Sequence, residues 1–208
     1  MLLLNGYLLQ TMSWLLFSKL WISIFRIICL FWAACCLAYF GFLCSAEFTV
    51  PKLASFSPSI HLGVADISVD SHSSPSCLCI RIKERFRKGC FVHIGRGTMH
   101  ALQSLLSYLT IRGNGPGPLF LFQDGRPLSR ALLTDWLHRI LSSAGIHGNF
   151  SSHSFHIGAV TVAARNGIPD HQIQALGQWT STAYMSYIRT PAEKLSKLSK
   201  QFTAGVTS

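Results

Sequence analysis

Acidic residues are scarce in this chain. Only 8 Asp and Glu stand against 18 Lys and Arg in 208 residues, which leaves a net charge of +10. Such an excess suits a polyanionic partner, nucleic acid or an anionic membrane surface. Charge of either sign is nearly missing from the first fifty residues, where Lys19 and Arg26 face only Glu47; residues 51–208 therefore carry +9. A cysteine framework is also missing. The 7 cysteines are odd in number, and Cys77-Leu-Cys79 has one intervening residue and no downstream pair, which excludes a zinc knuckle. Cys29, Cys35 and Cys36 sit in an apolar run, where a thiol behaves as a small hydrophobe. Reduced thiols of a nuclear or cytosolic protein are the expectation, with no metal and no cofactor.

The longest apolar run, Leu20 to Leu43, contains one charge, Arg26. Its length would allow a membrane span. Arg26 shortens the uncharged part to Ile27–Leu43, and no Lys/Arg cluster flanks either end to set an orientation. No small-residue cleavage site follows a short apolar core, so a signal peptide is not expected. The reading adopted is a helix buried on most faces inside an α-rich domain, and the alternative kept beside it is a basic protein anchored in a membrane by this run.

Phe48-Thr-Val-Pro51 reads as extended. Val64–Val69, Leu78–Ile82 and Cys90–Ile94 are short β-type runs divided by turn residues, which predicts a small antiparallel sheet. Lys83-Glu-Arg-Phe-Arg-Lys-Gly89 between the last two is a basic hairpin tip, either solvated charge or a set of phosphate contacts. After Gly95 the period becomes helical. Met99–Ile111 stops at Gly113, and a Gly/Pro break and the Asp124-Gly125 turn follow. Ser129–Ser143 places Leu132, Leu133, Trp136, Leu137 and Ile140 on a core side. His153–Asn166 and Asp170–Gly177 are two more helices joined at Gly167-Ile-Pro169, and a last helix runs from about Ser181 to Tyr187.

The C-terminal part reads His153-Ser-Phe-His156, then Leu176-Gly-Gln-Trp179, then Ala183-Tyr-Met-Ser-Tyr187-Ile-Arg189. This resembles the tyrosine recombinase pattern His-x-x-Arg, Leu-Gly-His/Trp, Tyr. Trp179 with the Tyr187-Ile-Arg189 ending looks like the Cre-like branch. Upstream, Phe42-Leu-Cys44-Ser-Ala-Glu47 is similar to the family segment Phe-Leu-Arg-x-x-Glu. Phe86-Arg-Lys-Gly89 and Pro118 to Leu128 look like the recombinases of DIRS-like and related eukaryotic mobile elements. The similarity covers roughly residues 20–192.

The resemblance implies a mostly helical α+β catalytic domain with a three-stranded antiparallel sheet along one edge. It would occupy residues 20–192, between an apolar helical extension (1–19) and a basic tail (193–208), without the family's separate DNA-clamping domain. It implies a site-specific recombinase or integrase acting on double-stranded DNA through a 3′-phosphotyrosyl intermediate. Other recombinase protomers would be partners, with no small-molecule substrate, and the expected location is the nucleus. Carried over by residue, Tyr187 is the nucleophile, His153 the accessory acid/base and Trp179 the hydrogen-bond donor to phosphate. Lys83 or Lys88 would be the leaving-group acid, and Tyr184 is a competing nucleophile one turn earlier. Arg85, Arg87, Lys88 and Arg189 would contact DNA. The two arginine positions hold Cys44 and His156, so the expectation is an inactive or nearly inactive copy.

Overall fold

The computed structural model describes residues 2–70, 77–81, 83, 91–94, 101–179 and 181–187, with side chains from residue 19 onward except at Cys77 and Ala183. Six α-helices are described: α1 (Leu2–Phe40), α2 (Ser45–Phe48), α3 (Ala101–Arg112), α4 (Arg130–Ser143), α5 (His153–Arg165) and α6 (Asp170–Leu176). Strands β1 (Ile67–Asp70), β2 (Cys77–Arg81) and β3 (Phe91–Ile94) form an antiparallel sheet in the order β1-β2-β3. The expected mostly helical fold with a small three-stranded sheet is the fold observed.

The sheet follows from alternation. Its register opposes Ile67 to Ile80 and Ile80 to Val92, and Leu78 to Val69 and Ile94, which gathers the branched residues on one face. Leu78, Ile80, Val92 and Ile94 are buried there, while Val69 on the edge strand is exposed. On the other face the Cys79 Sγ lies 3.7 Å from His93 Nδ1.

Helix α1 holds the domain together through only part of its length. Leu30, Ala33, Ala34, Leu37 and Ala38 are fully buried, and the helix packs chiefly against α3 and then α5. Small alanines at the contact let the helices approach closely, and Leu30 and Leu37 each contribute roughly 1.5–3 kcal/mol by leaving water. Toward the N-terminus the same helix leaves the protein. Leu20, Trp21, Ile22, Phe25 and Ile28 are each more than half exposed. The expectation of a helix buried on most faces therefore holds for Leu30–Ala38 and fails for 20–28. Lys19–Phe40 is long and apolar enough to cross a membrane, by length and composition. The helix runs without a break from Leu2 through residues 19 and 20 to Phe40.

Four further expectations change. Phe48 ends a helical turn instead of starting an extended run, because the Glu47 carboxylate turns back onto the Cys44 N–H at 2.6 Å; extended backbone begins at Thr49. Val64–Asp66 is a 3₁₀ turn, closed by the Asp66 carboxylate accepting from the Gly63 N–H, and the strand starts only at Ile67. Ile140 is half exposed: α4 packs through Leu132, Leu133 and Trp136, whose ring meets Phe31 and Phe122 at 5.6 Å each, and its C-terminal half runs past this contact. The last helix, Thr182–Tyr187, is 3₁₀. Lys88, Arg85, Arg87, Arg189 and the 193–208 tail lie outside the described residues.

Candidate active site

Helix α5 carries the first two functional side chains. It starts where Ser151 Oγ accepts from the His153 N–H (3.2 Å) and Ser154 Oγ accepts from the Ser151 N–H (3.0 Å), satisfying donors that a helix start leaves open. His156, Ala159, Val160 and Ala163 are the buried face, at three- and four-residue spacing. His153 lies one turn before His156 and is exposed, while His156 beneath it is buried. Their rings stack, with centroids 5.9 Å apart and planes at 22°.

Trp179 comes from the loop after α6. Its backbone N–H donates to Gln174 O, and the Gln174 side-chain amide donates back to Trp179 O, both at 3.1 Å. A Cβ on Gly177 would run into the Trp179 ring, so the glycine before the indole is a packing requirement. Gln178 takes a left-handed conformation (φ 53°), and its side-chain amide donates to Phe91 O on β3 at 2.8 Å. The loop bearing Trp179 is thus tied to the sheet.

The terminal 3₁₀ turn supplies two tyrosines with different fates. Tyr184 is buried and stacks on Trp179 at 5.7 Å and 25°. Tyr187 is half-buried and meets the His153 ring edge-on at 5.0 Å, with Trp179 at 6.4 Å. Thr161 on α5 donates its hydroxyl to Tyr187 O at 3.1 Å, which fixes the turn against the helix. Of the two tyrosines, Tyr187 is the one that stands at the histidine.

Cys44 reaches the same region through its neighbours. Phe42, strained at φ 50°, packs edge-on against Trp179 at 6.0 Å. Ser45 Oγ and Ser152 Oγ share a buried hydrogen bond of 2.8 Å, which joins the start of α2 to the start of α5. Cys44 lies between these two anchors and is exposed. Lys83 is held by an ion pair: its ammonium meets the Asp66 carboxylate at 2.5 Å, with both side chains largely buried. The structure therefore brings together His153, His156, Trp179 and Tyr187, with Cys44 beside them, and commits Lys83 to Asp66. Phe42, Ser45, Ser152, Thr161 and Gln178 were not singled out from the sequence. Only Gly177 beside a large aromatic offered a signal for this local packing.

Among the described residues no group of three or more His, Cys, Asp or Glu could hold a metal ion. What the arrangement offers is a phenol, an imidazole at its edge and an indole, gathered on one end of α5. A phenol is a nucleophile when a neighbouring base takes its proton, and an indole N–H donates to an oxyanion.

Residues 60–193 match the model of the phage integrase family. The fold is similar to that of the XerH site-specific recombinase bound to palindromic difH substrate in a post-cleavage complex. There the TM-score is 0.62 at 15% identity, covering 86% of this chain and 47% of that one. It is similar to the XerA recombinase (TM-score 0.51, 21% identity, 68% and 49% covered). It is also similar to the Tn1549 transposon integrase in complex with circular intermediate DNA (TM-score 0.51, 13% identity, 82% and 59% covered). The chain spans about half the length of the Xer recombinases it matches. No curated protein sequence matches it. With the family model matched over well more than half of its residues, the chain belongs to the phage integrase family, the tyrosine recombinases.

Proposed function

We propose that this chain is a DNA-binding recombinase domain of mobile-element origin that has lost most or all of its strand cleavage. The observation that carries this reading is the pair of substitutions at the arginine positions, Cys44 and His156, beside an otherwise assembled His153–Trp179–Tyr187 group. Duplex DNA is supported as partner by the net charge of +10 and by relatives whose structures hold DNA substrates. A nuclear location would follow from that partner, and other recombinase protomers would share the DNA.

In the proposed reaction the Tyr187 hydroxyl attacks a DNA phosphorus. A phosphotyrosyl bond forms, the bond to the 5′ oxygen breaks, and the leaving oxygen takes a proton from the leaving-group acid, Lys83 or Lys88. Bond energy is conserved in the covalent link. His153 would take the phenol proton, and the Trp179 N–H would donate to a nonbridging oxygen. The pentavalent state gathers negative charge that two planar, permanently charged guanidinium groups would stabilise. Cys44 carries no positive charge, and a histidine is only partly charged near neutral pH. Arg→Cys and Arg→His are each single C-to-T changes, on one strand or the other, in CG-containing arginine codons. That pair fits decay of methylated element DNA without selection.

The test is a nicked suicide substrate incubated with the chain, read as covalent DNA–protein adduct on a denaturing gel. The expected result is no adduct, alongside binding of duplex DNA that weakens steeply with salt. An adduct that vanishes in Tyr187→Phe would overturn the inactive reading and leave an active recombinase domain.

A further inference from the structure

Loss of the arginines changes which groups in the site can carry positive charge. Among the described side chains of the ring group, only His153 and His156 can do so, and their rings stack at 5.9 Å. The titratable groups around the pair come from three other elements. Tyr184 and Tyr187 lie on the terminal 3₁₀ turn. Tyr39 on α1 packs in the same cluster, its pKa raised by burial. Cys44 and Glu47 of α2 approach through the Ser45–Ser152 bond, the Glu47 carboxylate being turned onto the Cys44 N–H. Tyrosine is neutral near pH 7, and a thiol is mostly so. No arginine or lysine among these groups supplies a fixed cation.

Two protonated imidazoles stacked at 5.9 Å repel each other, and an anion placed beside them offsets that repulsion. The exposed His153 offers the place for a phosphate oxygen, and Trp179 packs edge-on against His156 at 5.9 Å. Anion binding then draws protons onto the pair. We infer that the site recognises a phosphodiester through the protonated His153–His156 pair, so that DNA capture there takes up protons and tightens as pH falls from 8 to 6. This rests on the DNA-binding reading above and adds a requirement that arginines would not impose. In an arginine-bearing site the cations persist across this range. Here phosphate recognition would rise and fall with the histidines, whose charge as a residue type changes between pH 5 and 8.

The test measures binding of the whole chain to a short fluorescent duplex at pH 6 and pH 8, at constant ionic strength. Wild type should bind about tenfold tighter at pH 6, since each proton taken up changes affinity by up to tenfold per pH unit. His153→Gln with His156→Gln should hold within about twofold over the range, which separates the pair from the other seven of the 9 histidines. His156→Arg should reduce the pH dependence and bind at pH 8 nearly as tightly as wild type does at pH 6. A pH-independent wild type that still binds DNA overturns the inference and leaves the DNA-binding reading standing. So does a slope retained in the double glutamine variant. Absence of binding at both pH values sinks the DNA-binding reading and the inference with it. A second measurement needs no variant to fold: histidine ring resonances of the wild-type chain, titrated with and without inorganic phosphate. Two of them should shift to higher midpoints, and no movement in any would count against the pair.

Discussion

Removing the Tyr108 hydroxyl should destabilise the fold at neutral pH and flatten its alkaline collapse. Tyr108 is buried in α3, and its oxygen accepts from the Leu121 N–H at 2.8 Å while its O–H faces Leu119 O and Leu121 O at 3.2 Å each. One turn later, the Arg112 guanidinium donates to Gly113 O, Gly115 O, Pro116 O and Pro118 O. Together these two side chains hold the loop that closes the core from Gly113 to Leu121. Tyr108→Phe keeps the ring against Phe120 and takes away only the hydroxyl. The Leu121 N–H then loses its partner, a loss that costs about 1–3 kcal/mol when no water replaces it. About 2 kcal/mol in a chain of this size corresponds to a fall in Tm of roughly 4–8 °C. The pH dependence adds a second readout. Burial pushes the Tyr108 pKa up to about 12, against about 10 for an exposed tyrosine. Folding stability from this group is therefore complete below pH 10 and lost as pH climbs toward 12, amounting to roughly 2–3 kcal/mol across the window. Urea titrations at pH 7.5 and between pH 9 and 11.5 measure both. A cost below 0.5 kcal/mol at neutral pH with an unchanged m-value would refute the hydrogen-bond argument. An alkaline limb identical in the variant would refute the burial argument and leave the other groups raised by burial, Cys35 (to about 12), Cys36 and Tyr39, as its source.

Three further outcomes are expected. Leu37→Ala should cost about 2–5 kcal/mol in urea unfolding, whereas Ile28→Lys on the exposed part of the same helix should change stability by less than about 0.5 kcal/mol and raise solubility. Ser129→Ala should cost about 1 kcal/mol, because Ser129 Oγ accepts from the Leu132 N–H at the start of α4; thermal unfolding measures it. Cys44→Arg with His156→Arg should restore adduct formation on the nicked substrate. Each arginine should add roughly two to three orders of magnitude alone and less than the product together; no gain in the double variant would show that other losses matter more.

The helices after residue 100 were legible because their punctuation is chemical. Gly113, Gly145 and Gly167 all take positive φ just past α3, α4 and α5, where the periodic apolar pattern stops. The sheet was legible from alternation at Leu78-Cys79-Ile80 and Val92-His93-Ile94. What stayed hidden depends on partners distant in sequence. Hydropathy is uniform from Leu20 to Leu43, so nothing local separates Leu30, buried by α3, from Ile28, exposed to solvent. Ile140 satisfies the helical period and still faces outward, because α4 extends past its contact. At the site, the motif spacing fixed which side chains to look for. The Ser45–Ser152 bond and the Phe42–Trp179 contact had no signal, since serine and phenylalanine are common and their pairing spans more than a hundred residues.

That distance matters before the protein is finished. The face of α1 carrying Leu30, Ala34 and Leu37 is covered by α3, and the site end of α1 waits for α5 and the terminal turn. A ribosome adding about 5–20 residues each second needs roughly 4–14 s between the end of α1 and the end of α3, and longer before Tyr187 emerges. Throughout that interval the face of α1 that the finished fold buries lacks its partners. The ring group is completed only by the last of these segments to be synthesised, since Tyr187 comes after α5 and Trp179. The nascent chain therefore exposes Leu30, Ala34 and Leu37, which the finished one hides.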